Sequence, residues 1–546
     1  MAATTAAPSS TTPPANAATR CGPGIEPGGS SLDRSPSCAR HLPISCSRRT
    51  WADLGAGAGA GKTPISRPPR GPERAYANRW PRAVRSLMVP PRFQTDRLSV
   101  TPAARLQATL ELLHDVDHVA RPADAVVSAW FRDRRFIGDT DRGRICELLY
   151  ALLRHHARLG WWLARHGRPD VPRNRLLAWL ALDAGEREGS RTRDQVQALF
   201  NGERFAPAVL TENERALLVK LQGNPINHPA MPDEVRVECP AWAVGPLRRR
   251  FQASFTSEMA ALLTAAPLDL RVNTVKSTRE AMLRALRDLG LRAEACAMAP
   301  YGIRLGAPPS LASLPMLRGG EVEIQDEGSQ LVAVLVDARP GERVVDFCAG
   351  AGGKTLAIAA QMANKGHVIA CDVLEGRLKR AAERFRRAGL HNIETRPLAS
   401  ETDRWVKRHK GTFDRVLVDA PCSGTGTWRR NPDARWRDLG PGLDNLLPLQ
   451  ARILASAARL VKPGGRLVYA TCSLLPEENE EQVATFLAAH PAFRVVPLHE
   501  AAPPLTGSAH PDYLSLTPAR HDTDGFFAAV LQRAALPLTE DTPPSV

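Results

Sequence analysis

The chain has 546 residues, too many for one hydrophobic core, and its 43% hydrophobic and 24% charged residues exclude a fully disordered or fibrous protein, so two or three globular domains are expected. A net charge of +15, carried mainly by Arg, favours an anionic partner, because the guanidinium fork donates two hydrogen bonds at once to phosphate; nucleic acid is the expected partner. The 10 Cys are unclustered, with no CxxC pair, and no apolar run reaches roughly 18 residues, which argues against a disulfide framework, a metal site and a membrane span; a reducing, cytoplasmic setting is the simplest expectation.

Residues 1–90 are rich in Ala, Pro, Ser, Thr, Gly and Arg and poor in large apolar side chains, so disorder is expected. They lack the apolar core of a secretory signal. The segment is acid-poor, as organelle transit peptides are, yet its first 19 residues hold no basic residue; a start at Met88 is an equally good reading. Gly55–Thr63 imitates a phosphate loop, but Ala56 stands where the first Gly is needed, Pro64 follows and no strand precedes, so it reads as linker.

From 95 to 220 the spacing is helical. Leu106, Leu110, Leu112, Leu113 and Val116 share one face, and Ile145, Leu148, Leu149, Leu152 and Leu153 share another. Asp139–Arg144 reads as a capped helix start. Residues 225–320 read as a small α+β module, with strands over 268–273 and 301–305 and a helix from Arg279 to Leu289 that ends at Gly290. From 321 to 535 strand candidates (344–347, 367–371, 416–418, 466–471, 526–531) alternate with helix candidates (356–362, 376–388, 450–460, 479–490). This predicts an α/β domain with a mostly parallel, Rossmann-like sheet.

The chemistry gathers at strand ends, where open α/β sheets bind ligands. Asp346-Phe347-Cys348-Ala349-Gly350-Ala351-Gly352-Gly353-Lys354 is strand, Gly-rich turn and helix start. Glycines permit close backbone approach to a ligand, and Asp372, ending the next strand, can bond both ribose hydroxyls. Because the loop matches neither the Walker nor the GxGxxG pattern, a nucleoside cofactor without polyphosphate, S-adenosylmethionine, fits best. Two later strands end at Asp419-Ala420-Pro421-Cys422 and Thr471-Cys472-Ser473. A thiolate adding to carbon 6 of cytosine makes carbon 5 nucleophilic enough to take a methyl group. Asp419 could grip the ring edge, and a second thiol can assist breakdown of the adduct. Arg429, Arg430, Arg435, Trp436 and Arg437, with Trp428, read as a basic, aromatic stretch for phosphate contact and base stacking.

Residues 321–535 resemble the RNA cytosine-5 methyltransferases of the RsmB (Sun/Fmu)/NSUN family. The matching stretches are Gln325–Gln330, Asp346–Thr355, Asp419–Thr427, Arg430–Asp433, Lys462–Gly465, Tyr469–Ser473 with Glu477–Glu480, and Asp524–Phe527. The helical region resembles the NusB-like RNA-binding domain of bacterial members. The resemblance implies Cys472 as nucleophile and Cys422 as the residue assisting release. It implies cofactor contacts from Cys348, Ala349, Gly350, Ala351, Gly352, Gly353 and Lys354, and from Asp372 and Asp419. The family also has an acid near the adenine after the third strand. Here Arg396–Asp403 offers none at that place, with Glu401 or Asp403 as the only substitutes. The resemblance further implies a monomer acting on RNA, most simply 16S ribosomal RNA. A tRNA methyltransferase and a non-catalytic ribosome-assembly factor are the alternatives.

Overall fold

The computed structural model describes residues 100–183, 191–306, 314–502, 508 and 510–535. The expectations for residues 1–90 lie outside the described residues. The N-terminal part is helical: α1 (Pro102–His118), α2 (Ala123–Asp133), α3 (Asp139–Arg154), α4 (His156–Arg165), α5 (Pro172–Ala181), α6 (Arg193–Leu199) and α7 (Glu212–Leu221). The apolar faces read from the sequence meet in one core. Leu106, Leu112, Leu113 and Val116 pack with Ile145, Leu149, Leu152 and Leu153, while Leu110 and Leu148 lie at its margin. The start of α3 differs from expectation. Gly138 holds the cap position without a side-chain cap, and Asp141 instead accepts from Val100 N at 2.9 Å and Arg105 Nη1 at 2.9 Å, tying α3 to the start of α1.

Three helices follow: α8 (Asp233–Arg236), α9 (Ala241–Phe251) and α10 (Phe255–Ala261). A small sheet is then built from β1 (Leu268–Val272), β2 (Ala293–Ala295), β3 (Gly302–Leu305) and β4 (Val322–Ile324), with helices α11 (Arg279–Asp288) and α12 (Pro315–Gly319). Its order is β2-β3-β1-β4, all antiparallel. Its last strand lies beyond residue 320, so the module extends further than the sequence boundary suggested.

The third part contains α13 (Glu327–Leu335), β5 (Arg343–Asp346), α14 (Gly353–Gln361), β6 (His367–Asp372), α15 (Glu375–Ala388), β7 (Ile393–Pro397), α16 (Arg404–Arg408), β8 (Phe413–Asp419), α17 (Leu443–Ala458), β9 (Val461–Thr471), α18 (Glu480–Ala489), β10 (Phe493–Val495), α19 (Leu498–Ala501), β11 (Leu514–Leu516), α20 (Pro518–His521) and β12 (Phe526–Arg533). The sheet order is β10-β12-β9-β8-β5-β6-β7, with β11 beside β12. The pairs from β7 through β9 are parallel, and β12 alone runs against its neighbours. Leu356, Ile358 and Phe385 cover one face of this sheet, and Leu454, Val483 and Phe486 the other. This two-sided burial explains the continuous apolar runs of the central strands. Asp346, Asp372, Asp419 and Thr471 all stand at carboxyl ends, on one edge of the sheet. Among the described residues no helix is long and apolar enough to cross a membrane.

Candidate active site

The loop between β5 and α14 is held in a shape that presents backbone to a ligand. Gly352 has φ +78°, and a Cβ there would lie 2.5 Å from the Phe385 ring, so the position accepts only glycine. Gly350, at φ +56°, faces open space. Asp372 Oδ2 accepts from Gly350 N at 2.9 Å and Oδ1 from Leu374 N at 2.7 Å, leaving each oxygen a further lone pair. Beside it Val373 and Leu374 are 59% and 50% exposed, an apolar platform that the sequence reading missed. Lys354 Nζ bonds Asp419 Oδ2 at 2.7 Å. Burial opposes the charge on Lys354, but the Asp419 carboxylate outweighs it and holds the ammonium above its ordinary range. Asp346 is fully buried, and desolvation pushes its carboxyl up to about 7, although Thr355 Oγ1 donates to it at 2.7 Å. Removal from water, reinforced by Asp346 and Asp419, raises the Cys348 thiol well above its usual value, so it remains a neutral wall of the site. A glycine-lined turn, a carboxylate at the next strand end and an exposed apolar pair fit a nucleoside cofactor.

Strands β8 and β9 are neighbours, and their ends bring Cys422 and Cys472 together with Sγ atoms 3.5 Å apart. The contact with Cys472, then burial, then the charge of Glu478 raise the Cys422 thiol well above its ordinary value, so Cys422 keeps its proton. The two cysteine loops are locked by a buried polar network. Glu478 accepts from Ser423 N at 2.8 Å, Ser423 Oγ at 2.5 Å and Gln450 Nε2 at 2.9 Å. Thr425 Oγ1 lies 3.2 Å from Ser473 Oγ and accepts from Leu474 N at 2.7 Å. Asn479 Nδ2 donates to Ser473 O at 2.9 Å. Gly426 N donates to Cys472 O at 3.0 Å, and a Cβ on Gly426 would sit 2.2 Å from Gly525 O, so three loops meet at distances only glycine allows.

Residues 333–532 match the family described as 16S rRNA methyltransferase RsmB/F, and residues 239–312 match the ferredoxin-like domain of RsmF/B-like methyltransferases. The chain is 33% identical over 417 residues to ribosomal RNA small subunit methyltransferase B of Serratia proteamaculans, covering 73% of this chain and 92% of that protein. It is 38% identical over 298 residues to a probable ribosomal RNA small subunit methyltransferase B of Synechocystis, covering 54% of this chain and 67% of that protein. The chain belongs to the RsmB/F family of ribosomal RNA methyltransferases. The crystal structure of PH0851 shares the fold, with a TM-score of 0.66 at 24% identity over 79% of this chain and 99% of that one. Membership makes the protein an S-adenosylmethionine-dependent enzyme acting on ribosomal RNA, as the geometry of the Gly-rich loop accommodates.

One sequence expectation about this family member is corrected. The basic, aromatic stretch after Cys422 is not an open phosphate-binding surface. Trp428, Arg429 and Arg435 are buried, and the stretch fastens the three parts of the molecule together. Arg429 Nε donates to Asp524 at 3.0 Å, and Arg430 bridges Asp524 at 2.5 Å and Asp326 at 2.7 Å. Arg435 donates to the carbonyls of Glu238 at 3.0 Å and Leu262 at 2.8 Å. Asp433 accepts from Ala123 N, at the first residue of α2, at 2.9 Å, and Arg437 reaches the carbonyls of Val119 and Arg121. Trp436 stacks on His156 at 5.0 Å, and Trp428 joins Leu247, Phe251 and Leu474 in one apolar cluster. These cations are spent on internal partners up to 318 residues away in sequence. The two acids after β7 are each engaged by neighbouring groups. Glu401 accepts from Arg452 at 2.8 Å, while Asp403 takes Ala399 N at 2.9 Å and Trp405 N at 2.7 Å to cap α16.

Proposed function

We propose that this enzyme methylates carbon 5 of a cytosine in small-subunit (16S) ribosomal RNA through a covalent adduct on Cys472. The observation that carries the reading is the pair of thiols 3.5 Å apart at adjacent strand ends, one of them kept protonated, beside the Lys354–Asp419 pair. The Cys472 thiol gives its proton to a base, the resulting thiolate bonds to carbon 6, and the displaced π electrons make carbon 5 nucleophilic. Bound S-adenosylmethionine supplies the methyl group that carbon 5 takes. Loss of the carbon 5 proton to a base then returns electrons to the ring, the carbon–sulfur bond breaks, and the Cys422 thiol, 3.5 Å from Cys472 Sγ, can hydrogen-bond to the departing Cys472 thiolate. Asp419, held by Lys354, is placed to accept from the ring edge. The loop Cys348–Lys354 and Asp372 would hold the methionine and ribose parts of S-adenosylmethionine, and Val373 and Leu374 would cover its adenine. That apolar cover takes the place of the adenine-side acid this chain lacks. The names of the matched relatives support the 16S substrate.

The test is methyl transfer from labelled S-adenosylmethionine to protein-free 16S RNA and, separately, to tRNA, followed by nucleoside analysis. Label in 5-methylcytosine from 16S RNA supports the reading. Label only in tRNA moves the substrate, and label in another nucleoside overturns the chemistry.

A further inference from the structure

The small antiparallel sheet packs its β4 edge toward the Gly-rich loop, and two guanidinium groups reach that loop's backbone. Arg271, on β1 and only 4% exposed, donates from Nη1 to Gly353 O at 2.6 Å and to Gln325 Oε1 at 2.7 Å. Arg384, on α15, donates from Nη1 to Ala351 O at 2.6 Å. Arg384 is itself held by Glu323 of β4, at 3.0 Å and 3.3 Å, and the same buried carboxylate takes Arg387 at 2.6 Å. Alternate carbonyls of the loop, those of residues 351 and 353, are therefore each fixed by an arginine that answers to the small sheet. A peptide's carbonyl and N–H point in opposite directions. Fixing the carbonyl of Gly353 thus fixes the Lys354 N–H, and fixing that of Ala351 fixes the Gly352 N–H, which bonds Ala349 O at 2.8 Å.

We infer that Arg271, Arg384 and Glu323 are positioning residues for S-adenosylmethionine, and that the ferredoxin-like module is a working part of the cofactor site. The inference rests on the reading that the Cys348–Lys354 loop holds the cofactor. Charged hydrogen bonds to carbonyls are strong, and at the buried Arg271 water cannot take the guanidinium's place. Loosening either carbonyl lets the loop amides wander, which weakens the cofactor and leaves RNA binding alone. Arg271 is too deeply buried to touch RNA.

The experiment is calorimetric binding of S-adenosylhomocysteine to the full-length protein and to the variants Arg384→Gln, Arg384→Lys, Arg271→Met, Glu323→Gln and Asp372→Ala. Thermal unfolding and RNA binding are measured on each. The expected result is a Kd for S-adenosylhomocysteine raised roughly tenfold to a hundredfold in Arg384→Gln and Arg271→Met, partial recovery in Arg384→Lys, and an intermediate loss in Glu323→Gln, with RNA affinity unchanged. In turnover the KM for S-adenosylmethionine should rise while kcat at saturation holds. Should Arg271→Met fail to fold, Glu323→Gln and the Arg384 pair carry the same comparison. Unchanged cofactor affinity in folded Arg384→Gln and Glu323→Gln, with Asp372→Ala weakened, overturns the inference alone. Unchanged affinity in Asp372→Ala as well overturns the reading of the loop.

Discussion

Glu478 offers a quantitative check on the proposed thiol geometry. Its side chain is fully buried between the two cysteine loops and accepts three hydrogen bonds, from Ser423 N, Ser423 Oγ and Gln450 Nε2. Glu478→Ala strips acceptors from all three donors at once. At roughly 1–3 kcal/mol for each of the three buried donors, about 3–9 kcal/mol of local order is lost. Most of that loss falls on the 421–425 segment carrying Cys422. Glu478→Gln is different. The amide oxygen can remain on the side of Ser423 N and Gln450, while its NH2 faces Ser423 Oγ, which can rotate to accept and donate onward to Ser473 Oγ, 3.3 Å away. That substitution should cost only about 1–2 kcal/mol. The expected result is methyl transfer lowered at least about a hundredfold in Glu478→Ala and about tenfold or less in Glu478→Gln, with S-adenosylhomocysteine affinity unchanged in both. Single-turnover transfer to RNA, measured beside calorimetric cofactor binding, provides the comparison. A folded Glu478→Ala enzyme with normal turnover, or a Gln variant as damaged as the Ala variant, would refute the reasoning.

Asp433→Ala removes the acceptor at the start of α2 and one partner of Arg437, and should cost about 2–3 kcal/mol in denaturant unfolding. Asp433→Asn, which keeps an acceptor for Ala123 N, should recover much of it, and an unchanged midpoint in the Ala variant would count against the fastening role. Asp346 gives a pH signature. Burial pushes its folded carboxyl up to about 7, against about 3.9 in an unfolded chain. It therefore contributes stability that is full below about pH 4 and is lost as the pH rises through 7. Asp346→Asn lacks this loss, so its melting temperature should gain on that of the unaltered protein between pH 5 and pH 8; a difference constant across that range would contradict the assignment.

The central strands were legible because burial on both faces leaves continuous apolar runs such as Val416–Val418 and Leu467–Val468. Strand β7 (Ile393–Pro397) was not, since it is a polar edge strand with no alternation to read and ends in Pro. Strands β10 and β11 are three residues each, too short for periodicity to show. The positions of Cys422 and Cys472 at strand ends were readable, because a β-rich run ending in a small polar turn fixes that location locally. The fate of Arg429, Arg430 and Arg435 was not. Whether an arginine faces phosphate or an internal acceptor depends on partners such as the carboxylates of Asp524 and Asp326 and the backbone carbonyl of Glu238, which chain topology alone brings near. The same distance hides Arg271, an unremarkable residue of a small strand until Gly353 lies against it. Glu478 stood within a recognised motif, and only the structure gives it a task.

The claim at the centre of the mechanism is that Cys472 forms the bond to RNA and Cys422 serves its release. The most direct measurement is denaturing gel analysis of protein–RNA complexes formed with S-adenosylmethionine and 16S RNA by the Cys422→Ala, Cys472→Ala and doubly substituted enzymes. The expected result is a covalent complex that survives denaturation with Cys422→Ala alone and is absent whenever Cys472 is replaced. A complex that persists in the double variant, or turnover retained by Cys472→Ala, would contradict it.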